Sequence, residues 1–263
     1  MRKTITLSFM ALFFCKLYGQ YDDGRIIKIP VIFHIIYATE SQNIATDSLL
    51  AELKNLHNDF LLLNTDTSDV IPYFKPIIGN PKIDFYLADT IIPGNSEKGI
   101  IRLNKTNNKS NLYLKSEIID PEHYLNVYVG NLTTGIKHPD GYTNVPYDSL
   151  YHSNDAVNLR YLWVGSHYRL LTHEVGHWLG LWHVFEGGCK DGDKVPDTTP
   201  QNAATDGVCT QCPPAIADQK CTDKPSNYNN FMDYSGCRKM FTKEQVIRMR
   251  KTLFNCRPKL WRG

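Results

Sequence analysis

The sequence lacks any apolar run of the roughly 18 residues that a bilayer-spanning helix needs. It also lacks an excess of charge of one sign, since 29 basic and 27 acidic residues leave a formal net charge of +2 in 263 residues. There are no internal repeats and no low-complexity tail. The missing apolar run and the missing repeats argue against a membrane-spanning protein and a repeat protein. The near-zero net charge predicts no basic surface for nucleic acid or anionic lipid. The length suffices for a domain with a buried core.

The first 19 residues have the composition of a secretory signal peptide. Arg2 and Lys3 supply a positive start, residues 5–14 form a short apolar segment, and Gly19 offers a small residue for cleavage. Loss of residues 1–19 removes three basic residues and no acids, which lowers the formal charge from +2 to −1. We therefore predict a secreted protein, residues 20–263, with no membrane contact and no nucleic-acid partner.

Cysteine is absent from most of the mature chain and concentrated near its end. An even number of cysteines in an exported chain predicts disulfides, although six allow many connectivities. Cys209 and Cys212 have the Cys-x-x-Cys spacing of a metal site or a redox pair, but no second such pair follows, and an oxidising compartment favours disulfides. The six are Cys189, Cys209, Cys212, Cys221, Cys237 and Cys256.

Hydrophobic patterning predicts an α/β (α+β) fold with a mixed twisted sheet, a backing helix and an active-site helix. Residues 26–37 form an apolar run typical of a buried strand, in which His34 is expected to be a core histidine. Thr46 or Asp47 is a candidate cap for a helix whose apolar residues continue to Leu63. Further strands are predicted at 82–88, 124–129 and 156–164, a loop at 93–116, and a sheet-edge segment at 141–146.

The chain changes character after residue 180. Residues 186–230 are crowded with glycine, proline, aspartate, asparagine and cysteine, which predicts an irregular segment held by disulfides. Thr242 then begins a Thr-Lys-Glu-Gln capping box for a closing helix. We therefore predict an N-terminal subdomain, 20–180, and a C-terminal subdomain, 181–263.

Residues 173–183 read His-Glu-Val-Gly-His-Trp-Leu-Gly-Leu-Trp-His. On a helix, His173 and His177 share one face a single turn apart, so both can bind one Zn²⁺. Gly180 can adopt the positive φ that ends the helix and turns the chain towards His183. Three protein ligands leave a fourth position open, which is typical of catalytic zinc.

Glu174 is adjacent to the first of these histidines, where a carboxylate can act as a general base. A bare His-Glu-x-x-His also occurs by chance on exposed helices. The extended motif specifies five positions and is far more specific. The motif therefore predicts a zinc hydrolase.

With these residues the sequence resembles the metzincin metalloproteases, and among them the pappalysin family with its ulilysin-like members. The resemblance extends over nearly all of the mature chain. Its segments are 173–183, Asn-Phe-Met-Asp-Tyr-Ser at 230–235, 187–189 and 195–200, with weaker ones at 29–34, 124–129 and 241–245.

The resemblance implies roles for further residues. Met232 would form the hydrophobic floor of the zinc site, and Tyr234 would donate to the oxyanion, unless it only packs on the core. Asp193 and Asp197, with Asp191 nearby, would be ligands of a structural calcium ion. The alternative is a solvated acidic loop. The implied disulfides are Cys189–Cys221 and Cys212–Cys237, which leaves Cys209–Cys256 as a tentative third pair.

Two departures from the resemblance affect regulation and specificity. The first predicted strand follows the signal peptide so closely that we expect no room for the pro-segment of ulilysin-like enzymes. Ser235-Gly236-Cys237 contains no acid, whereas family members that cut before basic residues carry one there. We therefore expect no preference for a basic residue after the scissile bond, P1′.

The sequence thus predicts a secreted, monomeric zinc endopeptidase that acts on proteins or peptides, with Glu174 as general base. The alternative is a zinc-containing binding module of the same fold with little turnover. Glu174 favours the enzyme, since binding alone does not require a base.

Overall fold

The computed structural model describes residues 21, 23–105, 117–132, 140–143, 155–165, 168–205, 212 and 220–262. The predicted signal peptide lies outside these residues. Within them, six strands form one mixed sheet in the order β3-β1-β5-β7-β6, with β4 also paired to β1. The strands are β1 (Ile27–Tyr37), β3 (Ile83–Leu87), β4 (Ile100–Asn104), β5 (Leu125–Gly130), β6 (Gly141–Thr143) and β7 (Ala156–Arg160).

The long apolar strand β1 is the centre of the sheet. Its first half pairs in parallel with β3 and its second half with β4, while β5 lies along its other side. His34 is fully buried there, with Nε2 2.8 Å from Asn126 Oδ1 and its ring stacked on Tyr128. It is therefore a core histidine, as the apolar run predicted.

Strand β6 is the last strand in the sheet order and pairs antiparallel with β7. This agrees with the predicted edge segment at 141–146, of which residues 144–146 lie outside the described part of the chain. The strand predicted at 156–164 ends at Arg160 and continues as a 3₁₀ turn, Tyr161–Trp163.

Two details of the sequence interpretation were wrong. Strand β4 lies inside the segment 93–116 that was predicted as loop, because Ile100 and Ile101 are buried against β1 within an otherwise polar stretch. Helix α1 (Thr46–Phe60) begins after Ala45 rather than after a side-chain cap. Thr46 Oγ1 donates instead to Glu97 Oε2.

The remaining elements lie mostly in the C-terminal part. Helix α4 (Lys243–Cys256) begins after Thr242, and the predicted capping box between Thr242 and Gln245 is present. Between α2 (Leu170–Trp178) and α4 the described residues contain only one short helix, α3 (Gly188–Asp191), in agreement with the predicted irregular segment. The bounds are β2 (Ile78–Gly79), α2 (Leu170–Trp178), α3 (Gly188–Asp191), β8 (Phe241–Thr242), α4 (Lys243–Cys256) and α5 (Pro258–Arg262), with β2 and β8 paired antiparallel.

Two disulfides cross-link the C-terminal part of the chain, one within the irregular segment 186–230 and one between that segment and Cys237. Cys189 is joined to Cys221, and Cys212 is joined to Cys237. These are the two pairings that the resemblance implied. In the implied third pair, Cys256 is buried in the structure and Cys209 lies outside the described residues.

One hydrophobic cluster connects the sheet with helices from both parts of the chain. It includes Phe33 of β1, Leu53 of α1, Val127 of β5, Val175 of α2 and Leu253 of α4. The two subdomains predicted on either side of residue 180 therefore share one hydrophobic core. Their division into subdomains stays a prediction. None of the helices in the described part of the chain is long and apolar enough to cross a membrane.

Candidate active site

Helix α2 holds the first two histidines of the motif in the interior of the protein. All nine of its residues are buried, and His173 and His177 lie one turn apart on the same face. The helix ends where Gly180, at φ +86°, donates to His177 O at 2.8 Å and Leu181 N donates to Gly176 O at 3.0 Å. This turn is a glycine C-cap, and it directs the chain back towards α2.

His183 completes a compact triad. His177 Nε2 lies 3.1 Å from His173 Nε2 and 3.0 Å from His183 Nε2. His173 Nδ1 lies 2.7 Å from Phe231 O, and His177 Nδ1 lies 2.8 Å from Leu181 O. A carbonyl only accepts hydrogen bonds, so each of these Nδ1 atoms carries the proton and each Nε2 presents a lone pair.

The three converging Nε2 atoms are suited to bind a cation, and their environment disfavours protonation of the imidazole rings. Burial, followed by the charge of His177, holds the pKa of His173 well below its usual range, and burial lowers the pKa of His183 to about 3. Three neutral imidazoles with converging lone pairs are a donor set that fits a divalent transition metal. The described residues contain one other possible cluster, Asp120, Glu122 and His123, and it is largely exposed.

Glu174 lies beside the triad without belonging to it. Its side chain is buried, and burial raises its pKa to about 8, against a smaller opposite effect of Arg238. The edge strand β6 passes directly against its carboxylate, since a Cβ at Gly141 would lie 2.8 Å from Glu174 Oε1. Glu174 is therefore held between helix α2 and an edge strand.

Met232 forms the floor beneath α2. It is fully buried, its N–H donates to Asn230 Oδ1 at 2.9 Å, and its carbonyl accepts from Val184 N at 3.2 Å. Its Sδ lies against Gly176, where the space admits no side chain. The turn at Met232 thus supports the helix and the segment that leads to His183.

Tyr234 stands at the wall of the site. Its ring centroid lies 4.9 Å from that of His183 and 5.7 Å from that of His173, and 43% of the residue is exposed. Partial burial, together with the charge of Glu174, raises the pKa of its phenol, so the hydroxyl stays a hydrogen-bond donor at neutral pH.

These residues face one cleft of about 610 Å³. The strand segment 140–143 lies along it, with the triad, Glu174 and Tyr234. Tyr168, Trp182 and Arg238 also line it, and sequence reasoning missed all three. Arg238 directly follows Cys237, and no local pattern distinguishes it from a surface arginine.

The aspartates expected at a calcium site accept hydrogen bonds from protein groups in the structure. Asp197 Oδ1 accepts from Thr242 Oγ1 at 2.6 Å and its Oδ2 accepts from Glu244 N at 3.1 Å, so this carboxylate caps α4. Asp193 Oδ1 accepts from Val195 N and Thr198 Oγ1. Asp191, Asp193 and Asp197 do not form a cluster with carboxylate oxygens within 4.8 Å of one another.

Solved structures similar to this chain confirm the predicted metzincin-type mixed α/β fold. Mature mirolysin of Tannerella forsythia, in complex with a cleaved peptide, has 29% sequence identity and a TM-score of 0.77, and the match covers 90% of this chain and 96% of that chain. A promirolysin mutant of the same organism has 28% identity and a TM-score of 0.78, with 99% of this chain and 92% of that chain covered.

Named sequence relatives cover a shorter segment. An extracellular metalloprotease of Colletotrichum graminicola is 42% identical over 86 residues, which are 31% of this chain and 29% of the relative. One of Verticillium alfalfae is 42% identical over 96 residues, 35% of this chain and 33% of the relative. The chain thus spans about a third of the length of these relatives.

The family match is broader and includes the site. Residues 108–254, more than half of the chain, match the peptidase family described as pregnancy-associated plasma protein-A. This segment contains the histidine triad, Glu174, Met232 and Tyr234. The chain therefore belongs to this family, the pappalysins, as the resemblance of its motifs implied.

Proposed function

We propose that the protein is a secreted zinc-dependent endopeptidase that hydrolyses peptide bonds in proteins. The observation that carries this proposal is the convergence of three histidine Nε2 atoms beside the buried carboxylate of Glu174, in a cleft bounded by a sheet edge. Membership of the pappalysin family, the extracellular relatives and the peptide complex of mirolysin support it.

His173, His177 and His183 would hold the zinc ion through Nε2. When bound, zinc supplies a Lewis acid that polarises the scissile carbonyl and lowers the pKa of water. The hydrogen bonds from His173 Nδ1 to Phe231 O and from His177 Nδ1 to Leu181 O keep two rings oriented and in the required tautomer.

Glu174 is the proposed general base and acid. Its carboxylate takes a proton from the attacking water and later delivers it to the leaving amine nitrogen. Tyr234 would donate a hydrogen bond from its phenol to the developing oxyanion.

Strand β6 is the proposed docking edge for the substrate. It lies last in the sheet order and lines the cleft through Gly141, Tyr142 and Thr143. A peptide in extended conformation could pair with this edge, so that main-chain hydrogen bonds supply affinity and the cleft walls supply selectivity. This geometry favours an endopeptidase, since an edge strand accepts the middle of a chain.

A structural calcium ion stays part of the proposal only at Asp193. Its Oδ2 is buried and makes no hydrogen bond with the described residues, and burial raises its pKa to about 6. A cation would satisfy that oxygen. Asp197 is a poor candidate because both of its oxygens cap α4. Melting curves with calcium and with a calcium-selective chelator test this point.

The third disulfide, Cys209–Cys256, is likewise proposed. It would tie α4 to the irregular segment, and thiol titration of the denatured mature protein should then detect essentially no thiol. Two reactive thiols that map to these cysteines would remove this bridge from the proposal. Sequencing of the exported protein should find a new N-terminus near residue 20, and size-exclusion chromatography should find a monomer.

The function is tested by digesting a peptide library with the purified mature chain and identifying products by mass spectrometry. Internal cleavage should stop when a zinc chelator is added and return with zinc, and metal analysis should find about one zinc ion per chain. Bound zinc without any cleavage would instead favour the binding-module alternative.

A further inference from the structure

Arg238 is the one lysine or arginine among the described residues that line the cleft. Only 5% of it is exposed, and it directly follows Cys237, which is held by its disulfide to Cys212. The guanidinium group is therefore part of the wall and is anchored through a cross-linked backbone.

Two carbonyls and a ring position the guanidinium group without neutralising it. Nη2 donates to Tyr168 O at 2.5 Å and Nη1 donates to Asp233 O at 3.2 Å. The guanidinium carbon lies 5.0 Å from the centroid of the Tyr168 ring. Nε is buried and has no hydrogen-bond partner among the described residues. The described residues thus leave several donors of this group unused.

The acids around the cleft do not form an ion pair with Arg238 in the described part of the chain. Asp140 accepts from Trp163 Nε1 at 2.6 Å and lies 3.6 Å from Arg160 Nη1. Glu186 is exposed and lies 3.7 Å from His183 Nδ1.

The two buried acids near the guanidinium group are also directed elsewhere. Asp233 Oδ1 accepts from Thr205 N at 3.0 Å. Asp233 and Glu174 both act on the guanidinium group by their charge, Asp233 the more strongly, but neither forms an ion pair with it in the described part of the chain, and Glu174 is engaged in the proposed chemistry. The wall of the cleft therefore carries a buried cation without a carboxylate partner.

We propose that Arg238 is the specificity-determining residue of the cleft and that it selects peptides with a glutamate or aspartate next to the scissile bond, at P1 or P1′. The inference rests on the proposed peptidase function. A buried guanidinium without a counter-ion is costly, and a substrate carboxylate offsets that cost through charge-assisted hydrogen bonds. A substrate lysine or arginine at the same place would meet a like charge. The sequence led us to expect no preference for a basic residue at P1′. With Arg238 in the cleft wall, we expect the enzyme to prefer an acidic residue next to the scissile bond.

The first test uses the wild-type, zinc-loaded chain and pairs of peptides that differ only as Glu against Gln, or Asp against Asn, beside the scissile bond. The pairs are nearly equal in size, so they isolate the charge. We expect kcat/KM to be about tenfold or more higher for the acidic member of at least one pair. Equal values for both pairs, or faster cleavage next to lysine, would overturn the role of Arg238.

The second test changes the protein. Arg238→Met keeps an unbranched side chain without charge, and it should bring the Glu-to-Gln ratio close to one. Arg238→Lys should retain only part of the preference, because lysine lacks the planar fork of donors. Lys190→Met, at an exposed position outside the cleft, is the matched control and should leave the ratio unchanged. If Arg238→Met does not fold, the wild-type ratio alone decides.

Peptide binding separates this inference from the proposed function. Fluorescence anisotropy of labelled Glu and Gln peptides on the zinc-loaded Glu174→Gln chain needs no turnover. Tighter binding of the Glu peptide, with no cleavage by the wild-type chain, would retain the role of Arg238 and reject the peptidase. Cleavage without any difference between the paired peptides, in rate or in binding, would retain the peptidase and reject the role of Arg238.

Discussion

Gly141 and Glu174 are packed so closely that residue 141 has no room for a side chain. A Cβ built on Gly141 would lie 2.8 Å from Glu174 Oε1 and 3.0 Å from Cδ. The proposed docking edge and the proposed general base are thus in direct contact. The orientation of the base depends on a glycine far from it in sequence.

Gly141→Ala should reduce activity with little loss of stability. The new methyl group would displace a carboxylate at the end of a flexible side chain, which costs little folding energy but misplaces the proton acceptor. We expect kcat to fall about tenfold or more, with zinc content and the melting temperature nearly unchanged. Unchanged kcat would show that Glu174 does not act from this position.

Glu174→Ala should abolish proteolysis while the chain keeps about one zinc ion. Removal of a general base costs on the order of 10² or more in rate, whereas the three histidines remain. Peptide digestion and metal analysis on one preparation measure both effects. Glu122→Ala, which changes an exposed acid paired with Lys259, should retain full activity. Near-normal turnover of Glu174→Ala would reject the mechanism.

Gly176→Ala should destabilise the fold through a steric conflict with Met232. Alanine is a good helix former, so an exposed position would tolerate this change, but here the new methyl group would overlap Met232 Sδ. We expect a loss of about 1–3 kcal/mol in the free energy of unfolding, measured by denaturant titration. Adding Met232→Ala to the Gly176→Ala chain should recover part of that loss. If the double variant instead lost the sum of the two single-variant free energies, the contact between residues 176 and 232 would be rejected.

Glu52 should make stability depend on pH. It lies in α1, its Oε2 accepts from Gly165 N at 3.0 Å, and burial raises its pKa from 4.5 to about 7. Between these two values the folded chain holds a proton that the unfolded chain has lost. Its contribution to stability is therefore complete below pH 4.5 and is lost as the pH rises to about 7.

Glu52→Gln should remove this contribution, because the amide oxygen can still accept the hydrogen bond without titrating. The difference in urea midpoint between wild type and Glu52→Gln should change across that pH window and stay constant above it. A constant difference from pH 4 to 8 would contradict the raised pKa.

The motif residues could be predicted because their geometry is local. Helical periodicity alone places His173 and His177 on one face, and the backbone freedom of Gly180 allows the turn to His183. The strand at 26–37 could be predicted because its residues are almost all apolar. The capping box at Thr242 could be predicted because its hydrogen bonds join residues only three positions apart. The chemistry of the site therefore follows from residues within one short segment.

Other features depend on contacts between residues distant in sequence. Strand β4 forms because β1 is long enough to pair with it beyond the end of β3, which the polar surroundings of Ile100 conceal. Asp197 caps α4 through Thr242 and Glu244, whereas the family resemblance had implied a calcium ligand at this position.

The sequence by itself indicated the three candidate metal ligands and the proposed base, because these residues lie on one helix and the turn after it. It indicated the family through these residues together with the other short motifs that follow them. Only the tertiary structure decided what surrounds them. Gly141 reaches Glu174, Met232 supports Gly176, and Arg238 enters the cleft wall, because sheet pairing and a disulfide bring together segments that the chain holds far apart. The spacing of residues within one short segment is enough to predict the metal ligands. The selectivity proposed for the cleft depends on packing between segments that are distant in sequence.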